Sequence, residues 1–208
     1  MERVAALAAS TQTDPASCEQ RSAPRVTLLI RPAKLSSAEG EFVCVIRDVS
    51  ATGVSVRLFH PPPAGKSAQL ETETGQHIEM ERVRIQGRDV GYSFAEPIDL
   101  AALVNEEGRY PKRKLRLAIE MPVRIATLGG DYDAEVQNLS QQGARLECAA
   151  KFSIDQIVRL KSHHLPEIRA KVRWRRGTQY GLVFEDTFSL ADFAQLAAAL
   201  QCPSLTGD

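Results

Sequence analysis

The sequence lacks most marks of a specialised chain. It has no surplus of either charge: 26 Lys and Arg balance 26 Asp and Glu. That balance argues against a nucleic-acid polymer as partner, since such binders carry excess basic residues. A small anion held by a few local arginines stays open. Nowhere do 18 or more apolar residues run together, so no membrane span is expected. The opening MERVAALAASTQTDPASCEQ has only a brief Ala-rich run and does not look like a secretory signal. Cys18, Cys44, Cys148 and Cys202 are scattered with no CxxC pair, which fits reduced thiols and a cytoplasmic setting.

Catalytic signatures are missing too. AGKSA lacks the upstream glycine of a phosphate loop. His163 and His164 have no Cys or carboxylate at metal-ligand spacing and read as an exposed loop. His60 and His77 have no Ser or Cys arranged with them as a triad. The expectation is a protein that is not an enzyme and holds no metal or cofactor. Trp174 alternates with charges in VRWRR and is expected in a core.

What is present is repetition. From Val26 onward short strands follow one another with turn signals between them: VTLLIRPAKL, EFVCVIRDVS, GVSVRLF, KSAQLETE, IEMERVRIQ and VGYSF. This is the pattern of a small antiparallel barrel or sandwich. PIDLAALVN then turns to helical periodicity, with Leu100, Leu103 and Val104 on one side. The order recurs from RLAIEMPVRIATL to QYGLVFED, and SLADFAQLAAALQ reads as a closing helix. Ser189 is its expected N-cap, with Asp192 completing a weak capping box. Leu190, Phe193, Leu196, Ala197 and Leu200 form its expected apolar stripe, and Pro203 follows its end.

The two halves keep register. Asp48 and Asn138 lie 90 positions apart, as do Ser50 and Ser140, Gly53 and Gly143, Gly91 and Gly181, and Phe94 and Phe184. The chain therefore reads as a flexible tail over 1–20, one domain over 21–107, a second over 108–201 and a short tail over 202–208.

RDVSATG and QNLSQQG share the pattern (D/N)xSxxG. Alternation along a strand puts Asp48 and Ser50 on one face. The glycine suggests a tight turn or bulge with positive φ. Such residues can accept from a guanine edge or an arginine, or they can close a turn locally. Upstream of the first copy, RSAPR holds Arg21 and Arg25; upstream of the second, RYPKRKLR holds Arg109, Lys112, Arg113, Lys114 and Arg116. Planar guanidinium groups suit phosphates, guanine edges and stacking on bases.

RxxxR upstream of (D/N)xSxxG, twice and in order, resembles the PilZ domain family over nearly the whole chain. The resemblance implies two six-stranded antiparallel barrels in tandem, each followed by a helix, and cyclic di-GMP as ligand. It implies that Arg21, Arg25, Asp48, Ser50 and Gly53 hold the ligand in the first copy. In the second copy Asn138, Ser140 and Gly143 fit, but two arginine registers stand open: Arg109 with Arg113, or Lys112 with Arg116. Lysine at the first position lacks the flat fork, so the first copy is the firmer site by motif. The implied function is a receptor that relays its signal to a protein partner. The alternative is a scaffold whose sites no longer bind.

Overall fold

The computed structural model describes residues 26–72, 75–100 and 115–207. Alternation builds its strands. In β3 (Gly53–Leu58), Val54, Val56 and Leu58 turn inward, as do Ala144, Leu146 and Cys148 in β10 (Gly143–Cys148). The first half has β1 (Val26–Ser37), β2 (Gly40–Ser50), β3, β4 (Ser67–Glu71), β5 (His77–Gln86) and β6 (Asp89–Phe94). They close into a barrel in the order β1-β2-β3-β6-β5-β4, sealed by antiparallel pairing of β4 with β1.

The second half has β7 (Arg116–Leu117), β8 (Met121–Thr127), β9 (Gly130–Ser140), β10, β11 (Ile157–Ser162), β12 (Leu165–Arg176) and β13 (Gln179–Phe184). Six of these form the ring β10-β13-β12-β11-β8-β9, closed by β9 with β10, and β7 adds to β9. Together β7 and β8 do the work of the single long β1, whose register on β2 also breaks, between Thr27 and Arg31. The expectation of two closed antiparallel barrels is met.

The helix expected after the first barrel falls largely on residues outside those described. The closing helix is α1 (Leu190–Gln201). Ser189 caps it: its hydroxyl accepts the Asp192 N–H at 3.1 Å and donates to the Asp192 carboxylate at 2.6 Å. Its buried line differs from the expected stripe. Phe193, Ala194, Ala197 and Ala198 are buried, whereas Leu190, Leu196 and Leu200 are only partly so. The reason is close packing on β2, where small alanine side chains let a helix approach a sheet tightly.

This helix serves both barrels. Phe193, Ala194 and Ala197 join the core of the second barrel, and Ala198 joins that of the first. In return Val43 of β2 is buried in the second core, a contribution of about 1.5–3 kcal/mol for a side chain of this kind. Gln201 seals the joint. Its Oε1 accepts the Glu41 N–H at 2.8 Å, and its Nε2 donates to the Glu41 carbonyl at 2.6 Å. The Glu41 carboxylate takes Lys34 Nζ at 2.9 Å and the Ala118 N–H at 2.6 Å. Burial pulls the Lys34 ammonium down, but its bonds to Glu71 and Glu41 outweigh this and hold its pKa above the ordinary value. Beyond α1, Pro203–Leu205 forms one 3-10 turn, and Cys202 and Leu205 lean on the first core.

Candidate ligand-binding site

The repeated phrase closes the same hairpin in each barrel. Ser50 pairs with Gly53 across the two-residue loop between β2 and β3, and Ser140 pairs with Gly143 between β9 and β10. Each serine is buried and donates to the carbonyl of its own glycine, at 3.3 Å and 3.0 Å. The loop carbonyls fasten the exit from the last strand. Thr52 O accepts from Phe94 N–H and Ala51 O from Ile98 N–H; Gln142 O accepts from Phe184 N–H and Gln141 O from Phe188 N–H. The phrase thus has a structural task in both copies.

The glycine's role differs from the sequence expectation. Neither Gly53 nor Gly143 has positive φ. Both are glycine because the neighbouring strand runs against them. A Cβ on Gly53 would stand 2.5 Å from the Tyr92 carbonyl oxygen, and one on Gly143 would stand 2.1 Å from that of Leu182. The constraint is a close approach of backbones, not a left-handed turn.

A bulge aims the first residue of each phrase. The β2–β3 register shifts between Ile46 and Asp48, and the β9–β10 register shifts between Val136 and Asn138. Bulges re-aim side chains in this way. Asp48, Ser50 and Gly53 then line one cavity of about 300 Å³ on the first barrel, with Ser55, Val83 and Arg84. Asn138, Ser140 and Gly143 line its counterpart of about 350 Å³, with Arg116, Arg145, Arg173 and Trp174. The expectation that Asp48 and Ser50 share a face holds.

Of the basic candidates, Arg21, Arg25, Arg109, Lys112 and Arg113 lie outside the described residues. Arg116 is described and exposed. Val26, which follows Arg25, pairs with Val49 between Asp48 and Ser50. Leu117, which follows Arg116, pairs with Leu139 between Asn138 and Ser140. The described strands that begin at Val26 and at Arg116 therefore enter their barrels beside phrases far from them in sequence.

Sequence reasoning missed Arg84, Arg145, Arg173 and Trp174 as cavity residues. Arg145 pairs directly with Asn138, and its place two residues after Gly143 was the available signal. Trp174, expected in the core, is 38% exposed. The second cavity also adjoins the joint between barrels. Arg116, Asn138 and Arg145 line a neighbouring hollow of about 410 Å³ together with Lys34 and Glu41 of the first barrel. Among the described residues no three His, Cys, Asp or Glu side chains could hold a metal ion, and no helix is long and apolar enough to cross a membrane. Cys44, Cys148 and Cys202 are free, and burial pushes the Cys44 thiol up to about 12, which leaves it unreactive. His163 and His164 are exposed, as expected.

Several solved structures resemble the chain at low identity. One is the PlzA protein of Borreliella burgdorferi in complex with c-di-GMP: 11% identity, 85% of this chain and 93% of that one covered, TM-score 0.33. Another is the Bacillus subtilis inhibitor of motility MotI/DgrA: 12% identity, 88% and 100% covered, TM-score 0.36. A third is YcgR of Escherichia coli in complex with c-di-GMP: 12% identity, 80% and 81% covered, TM-score 0.31. No curated protein sequence matches. The PilZ domain family matches twice, over residues 19–110 and 107–201. With two barrels, each carrying its own copy of the fastened (D/N)xSxxG hairpin, the chain belongs to the PilZ domain family as a tandem pair.

Proposed function

We propose that the protein is a non-catalytic receptor for cyclic di-GMP, holding the ligand between the basic segment and the (D/N)xSxxG hairpin of a barrel. The observation that carries this reading is the pairing of β1 and of β7 onto the motif ends of β2 and β9. It sets the described start of each strand beside the hairpin that lines a surface cavity, which supports contact of the preceding basic segment with the same ligand. Arg21 and Arg25 supply the fork geometry for phosphate and guanine O6/N7, and Asp48 accepts from a guanine edge.

In the second copy the pairing favours one arginine register. Leu117 stands against Leu139 as Val26 stands against Val49. Arg116 then takes the place of Arg25, and Lys112 that of Arg21. Arg116 also lines the cavity with Asn138, which supports Lys112 and Arg116 over Arg109 and Arg113. Capture beside the joint held by Glu41, Lys34 and Ala118 gives the second site a route to relay its state to a protein partner.

One observation favours the scaffold alternative. The serine, the glycine and the loop carbonyls all serve the barrel itself, so the phrase would persist in a copy that binds nothing. Titration calorimetry with cyclic di-GMP separates the readings. A receptor gives heat with the wild type, loses one site in Arg25→Ala and the other in Arg116→Ala, and keeps both in Arg113→Ala. A wild type that gives no heat is a scaffold.

A further inference from the structure

The outer walls of the two barrels differ along one belt. In the second barrel Ile157, Lys171 and Val183 stand side by side across β11, β12 and β13. All three are exposed, Ile157 by 50%. Leu128, just past the end of β8, is wholly exposed and lies toward Ile157 along the register of β8 on β11. The first barrel has Ala38, Ser67, Glu81 and Ser93 at the four matching positions, and pairs Ser67 with Glu81 and Glu81 with Ser93 in the same way. One fold is thus built with and without the aliphatic belt, so the belt is not there for folding. A contiguous apolar strip on a surface marks an interaction site.

Charge selects the occupant. Arg159 is held by Glu167 and Arg169 by Glu185. Lys171, at the centre of the belt, has no ion-pair partner among the described residues. A symmetric contact of the belt with itself would bring two such lysines together, which is unfavourable. The complementary wall is on the first barrel. Glu81 is exposed there and likewise has no ion-pair partner among the described residues. Val83 and Ile85 follow it on β5, both exposed, Val83 by 67%. The second barrel has Arg173 and Arg175 at those positions. Each barrel therefore shows aliphatic side chains where the other is polar, around a charge of opposite sign. We propose that the Ile157, Lys171 and Val183 belt binds a second copy of the chain through the Glu81, Val83 and Ile85 wall of its first barrel. The aliphatic contacts supply affinity, and the pairing of Lys171 with Glu81 fixes the register. The contact joins unlike surfaces, and two copies that make it reciprocally close into a dimer.

The experiment is sedimentation and light scattering on the full chain without cyclic di-GMP, so its outcome is separate from that of the receptor reading. The expected result is a mean mass that rises above that of one chain as concentration increases to about 0.5 mM, and rises less at high salt. Lys171→Glu and Glu81→Lys each set like charges together and should weaken association by about tenfold or more. Both changes in one chain restore the pair and should return association to within about threefold of the wild type. Ile157→Ser with Val183→Ser gives the belt the first barrel's own residues and should also weaken association by about tenfold or more. A chain that stays monomeric over the whole range overturns the proposal. Association that Glu81→Lys leaves intact overturns it too, because the belt then has another occupant. So does a double charge swap that fails to restore what the single changes lose. Should Lys171→Glu fail to fold, Glu81→Lys and the paired serine changes decide, and association left intact by either counts against the proposal.

Discussion

The two cavities sit at the same place on two barrels, are fastened by the same hydrogen bonds, and have different walls. Where the first has Asp48, Ser55, Val83 and Arg84, the second has Asn138, Arg145, Arg173 and Trp174. The described lining of the first holds one acid and one arginine; that of the second holds three arginines and no acid. The motif favours the first copy, because RSAPR has both arginines in place. The walls favour the second for an anionic ligand. The shared phrase preserves the hairpin, while strands on either side of it set the charge and the aromatic content of the wall.

The largest expected break in this comparison is steric. An alanine at Gly143 would drive its Cβ to 2.1 Å from a backbone oxygen, against 2.5 Å at Gly53. We expect Gly143→Ala to destabilise by about 3 kcal/mol or more and Gly53→Ala by somewhat less, measured by chemical denaturation. Next come the arginines. Removing a charge-assisted contact costs about 1.5–3 kcal/mol, so Arg25→Ala and Arg116→Ala should each weaken one site by roughly tenfold or more in calorimetry. Equal loss at both sites from either change would mean that the two cavities are not independent. Lys112→Arg should strengthen the second site by about 1 kcal/mol, since it restores the planar fork. No change there would favour the Arg109 and Arg113 register.

The smallest difference concerns pH. His60 is buried in the first barrel against Phe42, its Nδ1 2.7 Å from the Pro61 carbonyl and its Nε2 without a partner among the described residues. Burial lowers its pKa below the ordinary 6.5, the Pro61 bond opposes this, and Arg88 lowers it further. Because the folded pKa lies below the unfolded value, its contribution is complete above the unfolded value of 6.5 and is lost as pH falls below it. The matching position in the second barrel is Ala150. Denaturation midpoints followed from pH 7.5 down to about 5 should fall less steeply in His60→Leu than in the wild type.

Much of this was legible in the sequence. Alternation in β3 and β10, the turn signals and the constant offset of 90 between Asp48 and Asn138 are local features, and they led to two barrels and their shared hairpin. What was hidden depended on neighbours distant in sequence. The need for glycine at Gly53 comes from the Tyr92 carbonyl on another strand. The exposure of Trp174 comes from a bulge, which breaks the period-2 reading of VRWRR. The alanine face of α1 is buried because β2 of the other barrel lies against it, a partner that no periodicity could name.

That last contact constrains how the molecule is made and dissected. Glu41 and Gln201 bond across 160 positions of chain. The first barrel leaves the ribosome with Val43 bare and the Ala198 seat unfilled, and it stays so until Leu190–Gln201 has been synthesised. Each copy is an unfinished object by itself. A first half cut free near the repeat boundary would carry an apolar wall that the intact chain never exposes, and its binding behaviour would not report that of the pair.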